Sequence, residues 1–313
     1  MRPVRLVPTM LGAALLASQA AATEPEACGM VRFSEPGWTD ITATTASTRA
    51  VLDALGYRTE AQVLALPITF AGLSTGEVDV FLGLWLPTMT TEITPYETAG
   101  TVDILGVNLT GAKYTLATNE HGAALGIGDF ADLAAHQDAL EGKIYAIEPG
   151  NDGNRTLLGM VAEDQFGTGT FEIVESSEQG MLAQVGRATR QGKPIVFLGW
   201  EPHPMNANYR LTYLTGGDDL FGPNLGGAEV RTVTRKGLVE ECPNLGRFLN
   251  NLQFSLEMEN QIMGAILDEN QAPDAAARAW LIANPDAVAA WLEGVTTREG
   301  GDAVAAVQAA LAN

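Results

Sequence analysis

A chain of 313 residues with 38 acidic against 18 basic side chains has a formal net charge of −20, and 46% of its residues are hydrophobic. That balance repels nucleic acid phosphates and gathers cations, although an acidic surface is also an ordinary means of staying in solution. Past the N-terminal leader, no stretch approaches the roughly 18–20 apolar residues that a membrane-spanning helix needs.

Arg2 and Arg5 precede an apolar run from Leu6 to Leu16 and small residues from Ala17 to Ala22. This is the pattern of a cleaved secretory signal peptide, assigned here to residues 1–22. About 290 residues remain, enough for two domains of ordinary size. An exported chain with an even number of cysteines predicts a disulfide, and Cys28 and Cys242 are the two available. Such a bridge makes the mature N-terminus a neighbour of a late segment, so one domain must hold both.

The elements then alternate. A strand over Gly29–Ser34 precedes a helix from about Ile41 to Leu55, with Gly56 placed as its C-terminal cap. Strands over Glu60–Leu66, closed by Pro67, and Val78–Leu82 complete a first α/β unit. A second set follows at Ala112–Thr118, Lys143–Ile147, Glu172–Val174 and Pro194–Leu198. From about Pro243 the pattern turns helical, with Phe248, Leu252, Leu256, Met263 and Ile266 at helical spacing. The reading is an α/β protein of two units with a helical C-terminal region packed against the body.

One short echo stands out. Val80-Phe81-Leu82-Gly83 and Val196-Phe197-Leu198-Gly199 are the same tetrapeptide, and each is followed by tryptophan and proline. Trp85 and Trp200 therefore sit at strand exits, as does Trp38 after Pro36-Gly37. Ligands of open α/β sheets lie beyond the carboxyl ends of the strands, which makes these three indoles candidates to converge. Taken singly, each is equally well read as a loop tryptophan packed on the core. Trp280 and Trp291 lie in Ala-rich helical patterns and are assigned to packing.

Aromatic faces carry negative potential, so a cluster of them in an acidic protein suits a cation. Four ring contacts at about 0.5–2 kcal/mol each, with one carboxylate, approach the roughly 8 kcal/mol of micromolar binding. Asp40 is either a first-turn helix acid or such a carboxylate. The turn Glu148-Pro149-Gly150-Asn151-Asp152-Gly153-Asn154 either caps the next helix or contributes to a site.

Signals of catalysis are thin. Gly72-Leu73-Ser74-Thr75-Gly76 matches G-x-S-x-G but lies between a helical stretch and a strand, the reverse of a nucleophile elbow. His121, His136 and His203 have no spacing of metal ligands, and His203 has no nucleophile beside it in sequence. We therefore expect no catalytic residue, no metal and no cofactor.

Four stretches resemble a known family: Gly37-Trp38-Thr39-Asp40-Ile41-Thr42-Ala43-Thr44-Thr45, Lys113-Tyr114-Thr115-Leu116-Ala117-Thr118, Ile147 to Arg155, and Gly199-Trp200-Glu201-Pro202-His203-Pro204-Met205. They are similar to the choline-binding proteins of bacterial ABC importers, and the resemblance spans nearly the whole mature chain, both cysteines included. It implies a periplasmic binding protein of type II-like fold, with two α/β lobes and a ligand cleft between them. One lobe would comprise residues 23–112 and 213–313, the other 113–212. It further implies an aromatic box of Trp38, Trp85, Tyr114 and Trp200 around a trimethylammonium group, with Asp40 and Asn151 on the ligand hydroxyl. Tyr114 enters through the resemblance alone. The implied function is a high-affinity choline receptor, monomeric, non-enzymatic and periplasmic. Its partners would be choline, acetylcholine more weakly, and a membrane permease, with no nucleic acid.

Three rivals remain at this point. A glycine betaine or carnitine receptor would want donors for the ligand carboxylate, against which Asp40 is repulsive. A choline-ester hydrolase would use Ser74. A sugar-binding protein would stack its tryptophans on pyranose rings, with no dependence on Asp40.

Overall fold

The structure is a computed structural model that describes residues 24–312; the expected signal peptide lies outside the described residues. Nine strands form one mixed sheet: β1 (Met30–Glu35), β2 (Arg58–Val63), β3 (Val80–Leu86), β4 (Val102–Thr118), β5 (Lys143–Tyr145), β6 (Glu172–Val174), β7 (Val196–Glu201), β8 (Thr212–Tyr213) and β9 (Gly227–Arg235). Their order is β2-β1-β3-β9-β4-β7-β5-β6, with β8 paired to β4. The principal helices are α1 (Thr39–Ala54), α2 (Leu66–Thr75), α3 (Thr90–Ala99), α4 (Asp152–Ala162), α5 (Glu178–Arg190), α6 (Pro243–Asn251), α7 (Leu256–Leu267), α8 (Pro273–Ala283), α9 (Pro285–Trp291) and α10 (Ala303–Ala312).

The long strand β4 joins two α/β units. It pairs with β9 from Val102 to Lys113 and with β7 from Lys113 to Thr118, so Lys113 is the residue at which it passes from one neighbour to the other. The first unit contains β1, β2 and β3 with α1, α2 and α3; the second contains β5, β6 and β7 with α4 and α5. β1 pairs in parallel with both β2 and β3, and β5 with both β6 and β7. This is the α/β architecture of two units that the alternation of elements predicts, and the C-terminal region from Pro243 is helical as expected. No helix of the described residues is long and apolar enough to cross a membrane.

Element boundaries differ where local chemistry overrides pattern. β2 ends at Val63 and Leu66 opens a helix, because Pro67 sits in its first turn, where the missing N–H leaves no bond unmade. β4 begins ten residues before the predicted Ala112, as a strand that crosses between two environments has no single alternating face to read. Gly56, at φ +94°, follows α1 as predicted, in a backbone conformation that glycine adopts without strain. Trp291 is buried and Trp280 half-buried; the two rings stack with centroids 6.3 Å apart.

Cys28 and Cys242 form a disulfide, with Cα atoms 5.7 Å apart. It ties the segment entering β1 to the start of α6, which is why that segment and the C-terminal helices share one body. Replacing both cysteines with serine is expected to lower the unfolding free energy by about 2–4 kcal/mol. Urea unfolding measures this, and an unchanged midpoint would contradict it.

Candidate functional site

The two repeated strands end at the same place. β3 carries Trp85 and β7 carries Trp200, and Tyr114 of β4 pairs directly with Trp200. The first copy has one more residue, Leu84, before its tryptophan, and the β3–β9 register shifts between Phe81 and Leu84. Such an irregularity re-aims a side chain, so both indoles reach the cleft despite the unequal spacing. Trp38 comes from the loop between β1 and α1, at the N-cap of the helix.

These side chains border a small cavity, lined by Trp38, Asp40, Trp85, Met89, Tyr114, Ile147, Asn151, Asp152 and Trp200. All six residues singled out from the sequence lie on its wall. The four aromatic residues are 4–6% exposed. The Tyr114 ring stands 6.2 Å from that of Trp85 and 6.4 Å from that of Trp200, edge to face in both cases, an arrangement that leaves ring faces free for a guest.

Two constraints hold Tyr114 in place. Phe221 packs edge-on at 5.8 Å, and the phenol donates a hydrogen bond of 2.9 Å to Asn151 Oδ1. Gly153 follows Asn151 and Asp152, and a Cβ there would run into the Tyr114 hydroxyl. Burial drives the Tyr114 phenol well above its ordinary pKa, so it stays a donor.

Asn151 is the N-cap of α4, as its turn sequence suggests, but its amide does more than cap. Oδ1 accepts from Asn154 N at 3.1 Å and from Tyr114, while Nδ2 donates to Asp152 Oδ1 at 3.0 Å. One Nδ2 proton is left for a guest. Asp40, in the first turn of α1, is 2% exposed and its Oδ1 has no partner. Burial first, and then the charge of Glu178, push its pKa up to about 7. A free acceptor and a free donor thus border one aromatic cavity.

The walls come from both α/β units and are joined across the cleft by contacts that the sequence did not reveal. Glu178, fully buried at the start of α5, accepts from Thr39 N at 2.8 Å and from Thr39 Oγ1 at 2.6 Å. His203 Nδ1 accepts a hydrogen bond from Met205 N–H at 2.9 Å, which leaves Nε2–H to donate to Glu178 Oε1 at 3.2 Å. Trp38 Nε1 donates to Glu148 Oε2 at 3.1 Å, and Glu148 Oε1 accepts from Glu178 N at 3.0 Å. Arg155 pairs with Glu92 and donates to the Thr88 carbonyl. Glu148 and His203 lie within the motifs quoted above, yet their partners Trp38 and Glu178 stand 110 and 25 residues away.

Ser74 lies inside α2, not at a strand-to-helix turn, and is not on the cavity wall. Among the described residues no group of three or more His, Cys, Asp or Glu side chains is placed to hold a metal ion.

A family model described as the substrate binding domain of ABC-type glycine betaine transport systems matches residues 29–283. A solved ABC-transporter choline binding protein in complex with choline is 60% identical, covers 92% of this chain and 100% of its own, and superposes with a TM-score of 0.91. The unliganded semi-closed form of an ABC-transporter choline binding protein has the same identity and coverage but a TM-score of 0.85. Lactococcal OpuAC, closed around glycine betaine, is 25% identical over 84% of this chain and 98% of its own, with a TM-score of 0.76. The cross-cleft hydrogen bonds agree with the better fit to the liganded form.

Replacing Glu178 with alanine strands the Thr39 N–H, the Thr39 hydroxyl and the His203 Nε2–H in buried surroundings, at about 1–3 kcal/mol for each unsatisfied group. Small-angle X-ray scattering of this variant is expected to show a larger radius of gyration under conditions that close the wild type. Identical profiles would contradict the role given to Glu178.

Proposed function

We propose that this chain, which belongs to the family of substrate-binding domains of ABC-type glycine betaine transport systems, is a choline receptor that hands its ligand to a membrane permease. The observation that carries the reading is the Asp40 carboxyl, buried with a free oxygen among four aromatic side chains. Ring faces attract the trimethylammonium group, which needs no hydrogen bonds. The hydroxyl at the other end donates to Asp40 Oδ1 and accepts from Asn151 Nδ2, using both free valences of the wall.

Choline then binds by joining two half-sites. Residues 23–112 and 213–313 form one lobe, which brings Trp38, Asp40 and Trp85; residues 113–212 form the other, with Tyr114, Asn151 and Trp200. Passage of β4 from β9 to β7 at Lys113 supports the first boundary. A ligand with contacts to both lobes shifts the population towards closure, and a permease reads the closed shape. Secretion by the leader of residues 1–22 places this cycle in the periplasm. The receptor acts as a monomer without catalysis, and acetylcholine is a weaker ligand because its ester has no hydroxyl proton for Asp40.

Glycine betaine shares the ammonium group and the family, but its carboxylate would face Asp40 with no cationic residue on the cavity wall to receive it. Isothermal titration is expected to show tight choline binding and little response to glycine betaine; a preference for betaine would overturn the reading. Trp200→Ala is expected to weaken choline binding by at least about 1 kcal/mol. Asp40→Asn should weaken choline more than tetramethylammonium, which has no hydroxyl, and equal losses would remove Asp40 from the hydroxyl.

A further inference from the structure

A second buried acid lies on the cavity wall, and only one of its two oxygens has a hydrogen bond within the site described so far. Asp152 begins α4, is 0% exposed, and lines the cavity on the opposite side of the cleft from Asp40. Its Oδ1 accepts from Asn151 Nδ2 at 3.0 Å, while its Oδ2 is buried without any hydrogen-bond partner. A buried carboxylate oxygen left unpaired is costly unless something in the cavity compensates it. Arg155, one turn along, is turned away to Glu92 and the Thr88 carbonyl. Arg155 and the Thr88 side chain favour the charged carboxylate from outside the cavity but do not offset its burial, and no basic residue lines the wall, so positive charge inside the cavity comes with the ligand.

We propose that Asp152 is a specificity-determining residue that, with Asp40 on the other lobe, admits a cation and rejects a zwitterion in either orientation. This deepens the choline reading and rests on it. With one acid, a zwitterion could turn its carboxylate towards the opposite wall. With an acid on each wall, the carboxylate of a betaine meets repulsion whichever way it lies. Asp152 also orients the donor for the hydroxyl: its Oδ1 engages one Nδ2 proton of Asn151, and Oδ1 of Asn151 faces two donors, which settles the amide orientation.

The test is titration of wild type and Asp152→Asn with choline and with glycine betaine. Asparagine keeps the shape and one oxygen for Asn151 while removing the charge. The expected result is at least a tenfold loss of choline affinity with betaine binding unchanged or tighter, so that the ratio of the two affinities narrows at least tenfold. Losses in equal proportion for both ligands would show a merely structural role, and choline affinity within twofold of wild type with an unchanged ratio would equally overturn the proposal. Thermal unfolding checks that the variant is folded, and Asp152→Ser replaces it if it is not. Wild-type protein that fails to bind choline would instead sink the functional reading itself.

Discussion

A carboxyl group shut inside a cage of aromatic rings is the constraint on which this structure turns. Asp40 has lost its water and gained no partner for one oxygen, and burial holds its pKa near 7. Glu178 and Glu259 add to the strain: Glu178 raises Asp40, and Glu259, buried on α7, is itself pushed well above its ordinary value, first by burial and then by Asp40. A cavity of this kind is tolerable empty only by holding protons. It is relieved by a guest that brings positive charge without demanding hydrogen bonds at that end, which describes a quaternary ammonium group.

Closure and recognition are one event in this geometry. Thr39 and Asp40 are adjacent in the first turn of α1: Asp40 faces the cavity, and Thr39 reaches across to Glu178. The start of α4 is built the same way, with Asn151 and Asp152 on the cavity and Arg155 reaching back to Glu92 and Thr88. Each lobe thus presents a helix start whose residues divide between ligand and opposite lobe. A guest that seats properly leaves the cross-cleft bonds intact, and one that displaces Asp40 or Asp152 disturbs them. Such coupling lets a permease sense occupancy from shape alone.

The alternation of strands and helices was readable because each element carries its own period, and the strand-exit tryptophans because a repeated tetrapeptide marked two of them. Trp38, Trp85 and Trp200, Asp40 and the Asn151 turn could be nominated from residue type and place. Tyr114 could not: it lies within a strand, paired with Trp200 along a ladder that no local pattern announces. Glu178 was also invisible, since an acid at a helix start reads as dipole chemistry, and its partners Thr39 and His203 are 139 and 25 residues away. Asp152 stood in plain view inside a quoted motif. What the sequence lacked was the knowledge that its Oδ2 is buried without a hydrogen bond, which depends on the three-dimensional surroundings. Pro67 misled for the opposite reason, as a strand terminator and a first-turn helix residue look alike without their neighbours.

If charge in an aromatic cavity is the basis of recognition, shape without charge must fail. The most direct measurement is titration of the wild-type protein with choline and with 3,3-dimethylbutan-1-ol, its neutral carbon counterpart of the same shape and hydroxyl. The account predicts that the neutral compound binds at least about 100-fold more weakly, since it forfeits every cation–π contact. Affinities within a few-fold of each other would contradict it and make the cavity a greasy pocket in which Asp40 and the four rings select by size.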